Sequence, residues 1–209
     1  MSEPRGARPG EIGEPRLDLA FAALRLKDVE RAGWVMHGVA APESVADHCF
    51  GTALLCLLFA EEAGVDADRA VAIALAHDLA EAVTGDFANR AAESDRPFRE
   101  AEKAAAERAA IASLVPAEAA RVRELWLEYE ERATPEAVFV RDMNLLDMCL
   151  QGLAYEREGR YDPTVEVPSE GGHRHLDEFF TSAEQRLATP VGRRLFALVE
   201  RRYREARGG

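Results

Sequence analysis

The chain has 209 residues, 47% of them hydrophobic, and carries 38 acidic against 26 basic side chains for a formal net charge of -12. That length and apolar content suit one domain with a genuine core and exclude a disordered acidic chain. The acidic balance argues against non-specific binding to nucleic acid or anionic membrane, while leaving room for a small phosphorylated substrate met in a local pocket.

Residues 1–16 are rich in Pro, Gly and charge, lack the apolar core of a signal peptide and read as a disordered tail. Residues 17–209 read as a single all-α domain, because alternating runs are missing and turn signals separate segments of helical spacing. A first helix is expected over about residues 17–30, followed by the loop RAGWVMHGVAAPES. A second spans about 44–62, apolar nearly all round through CFGTALLCLLFA and ended by Gly64. A third covers about 68–83, and the loop TGDFANRAAESDRP follows it. Amphipathic helices are expected over 98–114 and 116–132, and a long one opened by the cap and first-turn proline Thr134-Pro135. After a Gly/Pro loop holding His173 and His175, which read as surface residues, two more run over about 176–187 and 190–204. Charged residues interrupt every apolar run before the roughly 18 residues of a membrane crossing. Cys49, Cys56 and Cys149 form no Cys-x-x-Cys pair and read as buried thiols of a reducing, cytoplasmic compartment.

The two most apolar helices each carry a polar anomaly. The second has Asp47 and His48 one turn in; the third ends in AHDLAEAVTGD, which brings His77, Asp78 and Glu81 together with Asp86 just beyond. An isolated charge in such a setting costs several kcal/mol unless it is partnered. On a continuous helix, steps of about 100° put His77, Asp78 and Glu81 on one side. Imidazole nitrogen and carboxylate oxygen are natural ligands for one divalent transition ion, whether Mn, Fe, Co, Ni, Cu or Zn. Hydrogen-bonded core packing is the alternative for a lone buried histidine.

A histidine on one buried helix, then His-Asp on the next about thirty residues later, resembles the HD-domain metal-dependent phosphohydrolases. More closely, RAGWV, PESVADH, ALAHDLAEAVTGD, ELWLEYEE and FVRDMN resemble, in order, the motifs of the HD-domain 5′-deoxynucleotidases, from about Leu24 to Arg204. The resemblance implies an all-α, single HD-domain helical bundle, commonly dimeric, that hydrolyses nucleoside 5′-monophosphates with one divalent ion. It implies His48, His77 and Asp78 as metal ligands, Glu81 and Asp86 as catalytic acids, and Arg31 at the substrate phosphate. It places Trp34 either against the ligand or in the core, and His37 at the phosphate, where the family often has Arg-Asn for His37-Gly38.

The family's fourth ligand is an Asp on a later helix, and Asn144 stands at that position here. Asp142 is the alternative ligand, although two helical steps turn it about 200° away. Asp147 matches an acidic position usual in the group, with its role left open. Two further readings follow from these departures: an HD hydrolase acting on another phosphate ester, or a non-catalytic nucleotide-binding descendant.

Overall fold

The computed structural model describes residues 12–87, 96–162, 164–165 and 175–208, with helix side chains 96–99 excepted. Among the described residues there is no strand or sheet, and the one extended pairing is an isolated bridge between Glu30 and Ser44. The helices are α1 (Pro15–Ala23), α2 (Ala32–Met36), α3 (Val45–Ala63), α4 (Ala67–Ala76), α5 (Glu81–Thr84) and α6 (Arg96–Leu114). They continue as α7 (Ala120–Glu131), α8 (Pro135–Glu158), α9 (Asp177–Glu184) and α10 (Pro190–Arg207). The all-α expectation holds. No described helix is long and apolar enough to cross a membrane.

Local chemistry sets the helix ends. Ser44 and Asp47 form a reciprocal capping box that opens α3, and left-handed Gly64 closes it. Thr134 accepts from the Ala137 amide to start α8, and Thr189 accepts from the Gly192 amide to start α10. The centre is built by α3 and α8, which run antiparallel: His48 lies beside Asp147 at one end, and Asp66 beside Glu136 just past the other. On α8, Phe139, Val140, Met143 and Leu146 are buried, each such side chain being worth about 1.5–3 kcal/mol. Helix α4 covers α3, α10 covers α8, and a smaller cluster around Leu79, Ile111 and Trp126 holds α6 and α7 against the α3 end of the bundle.

Three expectations change. The first helix begins at Pro15, because the Glu14 carboxylate accepts from the Leu17 amide, and it tightens into a 3₁₀ turn at Leu24–Lys27. The expected loop after it contains the short helix α2. The expected third helix breaks after Ala76 and resumes at Glu81. Residues 1–11 of the expected tail, residues 88–95 of the loop after Asp86, and His173 lie outside the described residues. All three cysteines are buried free thiols.

Candidate active site

The break after α4 builds the site. The His77 ring donates from Nδ1 to the Ala74 carbonyl at 2.7 Å, so a side chain occupies the acceptor that a continuing helix would use. The backbone then closes with three-residue spans, Leu79 to Ala76, Glu81 to Asp78, Ala82 to Leu79 and Val83 to Ala80. In 3₁₀ geometry residues three apart eclipse, so Glu81 stacks directly beyond Asp78, closer in register than steps of 100° would give. Gly85 then takes φ 75°, ψ 169°, a conformation open only to glycine without strain. That turn delivers Asp86, whose Oδ2 accepts from the Ala32 amide at the start of α2 at 2.8 Å.

His48 from α3 and His77 meet Asp78 in a cluster whose donor atoms all lie within 4.8 Å of one another. Asp78 Oδ2 is 3.1 Å from His77 Nε2 and 3.8 Å from His48 Nε2. Both Nε2 atoms are buried with no hydrogen-bond partner. Leaving such an atom unpaired costs about 1–3 kcal/mol. A divalent ion would satisfy both nitrogens and the carboxylate together, so the donor set fits a metal. Burial, together with Arg31, holds the His48 imidazole well below its ordinary pKa. Burial acts in the same direction on His77, but the adjacent Asp78 carboxylate outweighs it and raises that ring well above the ordinary value. For Asp78, burial is outweighed by His77 and Arg31, which keep it well below the usual carboxylate range.

Around this cluster the charges alternate. The Arg31 guanidinium spans two acids, with Nη1 3.4 Å from Asp78 Oδ2 and Nε 3.8 Å from Asp86 Oδ2. Glu81 is 1% exposed, its Oε2 buried and unpartnered. Burial, then the charges of Asp78 and Asp86, push its carboxyl up to about 10. Lys103 on α6, absent from the sequence reading, brings Nζ to 3.9 Å from Glu81 Oε1 and 3.3 Å from Glu107 Oε1. The available signal was a lysine paired with Glu107 one turn on, in a chain whose only other lysine is Lys27.

Four expected site residues sit elsewhere or act differently. Trp34 is 2% exposed, donates Nε1–H to Glu43 at 2.8 Å and packs on Phe179 at a centroid distance of 4.0 Å, so its indole is not open to a phosphate. His37 is likewise buried, donating from Nδ1 to the Gly33 carbonyl at 2.9 Å with Nε2 3.4 Å from Glu178, and it braces α2 against α9. Asp142 points to the α9–α10 junction, accepting from the Ala188 amide at 3.0 Å, the Thr189 amide at 2.7 Å and the Thr189 hydroxyl at 2.6 Å. With its oxygens committed there, it cannot serve as the alternative ligand. Asn144 donates from its amide to the Tyr129 hydroxyl at 2.8 Å, and the Tyr129 ring meets the His77 ring at 5.1 Å. It therefore touches the histidines through Tyr129. His175 is exposed against Tyr161 and Glu156, apart from the cluster.

Asp142→Ala is expected to lower stability by ~1–3 kcal/mol for each of the two backbone donors it leaves unpaired. Urea unfolding checks the loss, and the metal content of the folded fraction should stay that of the wild type.

The HD domain family matches residues 23–180. A Xenopus laevis protein named 5′-deoxynucleotidase HDDC2 is 38% identical over 145 residues, covering 69% of this chain and 71% of its own. Its Danio rerio namesake is 33% identical over 190 residues, covering 88% and 86%. Among solved structures, the PH0347 protein from Pyrococcus horikoshii superposes with TM-score 0.66 at 30% identity, over 90% of this chain and 98% of that one. A Magnetospirillum magnetotacticum protein described as a predicted metal-dependent phosphohydrolase gives 0.64 at 25% identity, over 93% of each chain. Since the matched span carries His48, His77, Asp78 and most of the helical core, the chain belongs to the HD-domain family.

Proposed function

We propose that this chain is a metal-dependent phosphomonoesterase that hydrolyses (deoxy)ribonucleoside 5′-monophosphates to nucleoside and phosphate. The observation that carries this reading is the pair of buried, unpartnered Nε2 atoms of His48 and His77 converging on Asp78. The relatives named 5′-deoxynucleotidases support the substrate class. His48, His77 and Asp78 would hold the ion, with Asn144 as the remaining candidate from α8. When bound, a divalent ion lowers the pKa of a water molecule and polarises the phosphoryl oxygens.

The protein's own groups supply the rest. Arg31, aligned by Asp86 and Asp78, offers planar donors to the dianionic phosphate. Glu81 keeps its proton because burial and the charges of Asp78 and Asp86 outweigh Arg31 and Lys103; further positive charge in the cluster would release it, leaving the carboxylate to accept the proton of the attacking water. Asp86 is the second acid for proton transfer, held against Arg31 and the start of α2.

Arg31→Met is expected to raise KM for a nucleoside monophosphate about 10–100-fold, the scale of a lost charge-assisted contact, with metal content unchanged. Steady-state kinetics with metal analysis checks it. The function itself is tested by phosphate release from a panel of deoxy- and ribonucleoside 5′-monophosphates. Turnover that disappears on chelation and returns with metal supports it, whereas turnover only on an unrelated ester favours the other-ester reading, and no turnover with metal bound sinks both.

The same reading includes a homodimer and a cytoplasmic setting. The exposed apolar stripe Phe50, Leu54, Leu57 and Leu58 on α3 supports a second copy docking there. The buried free thiols suit a reducing compartment, and the acidic surface supports neither a nucleic-acid nor a membrane partner.

A further inference from the structure

Three polar side chains of helix α8, Asp142, Asn144 and Asp147, are committed to different partners. Asp142 is spent on the α9–α10 junction, and the amide nitrogen of Asn144 on the Tyr129 hydroxyl. Asp147 is the one whose carboxylate meets a histidine of the cluster: Oδ2 lies 2.6 Å from His48 Nδ1. Resting on the metal-centre reading above, we infer that Asp147 is a positioning residue of that centre, fixing the tautomer and orientation of His48 without touching the ion.

The geometry separates positioning from ligation. When Asp147 is ionised its carboxylate only accepts, so Nδ1 carries the hydrogen and the Nε2 lone pair is left for a cation. Nε2 is the buried, unpartnered atom that looks toward Asp78 and His77. Asp147 sits across the ring from that cluster and groups instead with Glu43 and His48. His77 is prepared in the same way by a different acceptor, the Ala74 carbonyl on its Nδ1. Both rings are therefore clamped at Nδ1 and present Nε2 to one point.

The sequence of α3 makes room for this arrangement. Gly51, one turn beyond His48, stands where an added Cβ would come within 1.9 Å of Asp147 Oδ1 and 2.8 Å of its Cγ. A glycine inside a helix is unfavourable relative to alanine by about 1 kcal/mol. Its presence here is explained by the carboxylate that α8 presses against it. Partners of this kind orient ligating histidines, and losing one typically weakens metal binding 10–100-fold.

The test uses the full chain stripped of metal, titrated with Zn²⁺ by calorimetry, and long-range ¹H–¹⁵N spectra of its histidine rings. The wild type should bind one Zn²⁺ and show His48 protonated at Nδ1. Asp147→Leu, which removes the acceptor at similar volume, should bind Zn²⁺ about 10–100-fold more weakly, with the His48 tautomer signature lost. Gly51→Ala should weaken binding in the same direction by displacing the carboxylate without removing it. Wild-type affinity in both variants, or His48 protonated at Nε2 in the wild type, overturns the inference; the wild-type spectrum decides even if a variant fails to fold. Zn²⁺ binding that responds as expected, without phosphate release from any nucleotide, would sink the proposed activity and leave Asp147's role standing. A wild type that binds no Zn²⁺ overturns both.

Discussion

Asp78→Ala is expected to abolish metal binding and phosphate release together. Among the described residues Asp78 is the one acid in the cluster with both histidines, and its Oδ2 also meets Arg31 at 3.4 Å. Removing it leaves two imidazoles without an anionic ligand, beside the Arg31 guanidinium, a setting that disfavours a dication. A loss of about 10⁴-fold or more in kcat/KM corresponds to ~5.5 kcal/mol of transition-state stabilisation. Metal analysis of the purified variant beside its kinetics checks this. A variant that retains stoichiometric metal would remove Asp78 from the ligand set.

Glu81→Gln should separate chemistry from metal binding. The side chain is 1% exposed, so an isosteric amide preserves packing, but it can no longer accept the proton of an attacking water. Metal content and KM should stay close to those of the wild type while kcat falls ~10²–10⁴-fold, the usual contribution of a positioned acid–base group. Such a split marks a group acting mainly in the transition state. Undiminished kcat would take Glu81 out of the reaction and leave its raised pKa as a consequence of burial beside Asp78 alone.

These two variants act on the stretch where sequence and structure agree on residues and differ on geometry. AHDLAEAVTGD advertises its function through charges placed after an apolar run, which local pattern exposes. The break after Ala76 was hidden, because it depends on the His77 ring capturing the Ala74 carbonyl, and that is a matter of rotamer, not propensity. Helices α3, α8 and α10 were legible from their caps, Ser44, Thr134-Pro135 and Thr189-Pro190, since capping chemistry is local. The short helix α2 was not, with glycine at Gly33 and only five residues of helix.

Long-range packing decided the remainder. Trp34 and His37 look like ligand-facing residues in a loop, yet Phe179 and Glu178, far along the chain, cover them. Helical angles did place Asp142 on the face away from Asn144, and the Ala188–Thr189 junction explains what that face serves. Lys103 lies in an Ala- and Glu-rich amphipathic helix, where a lysine four residues before Glu107 reads as an ordinary surface pair. Only the approach of α6 to α5 reveals that it stands beside Glu81.

Anomalous diffraction at the absorption edge of a reconstituted divalent ion, from crystals of the full chain, tests whether His48, His77 and Asp78 hold one metal. One strong peak is expected within about 2.0–2.2 Å of His48 Nε2, His77 Nε2 and an Asp78 oxygen. Saturating metal with no peak at those three atoms, or a peak held by other residues, would contradict it.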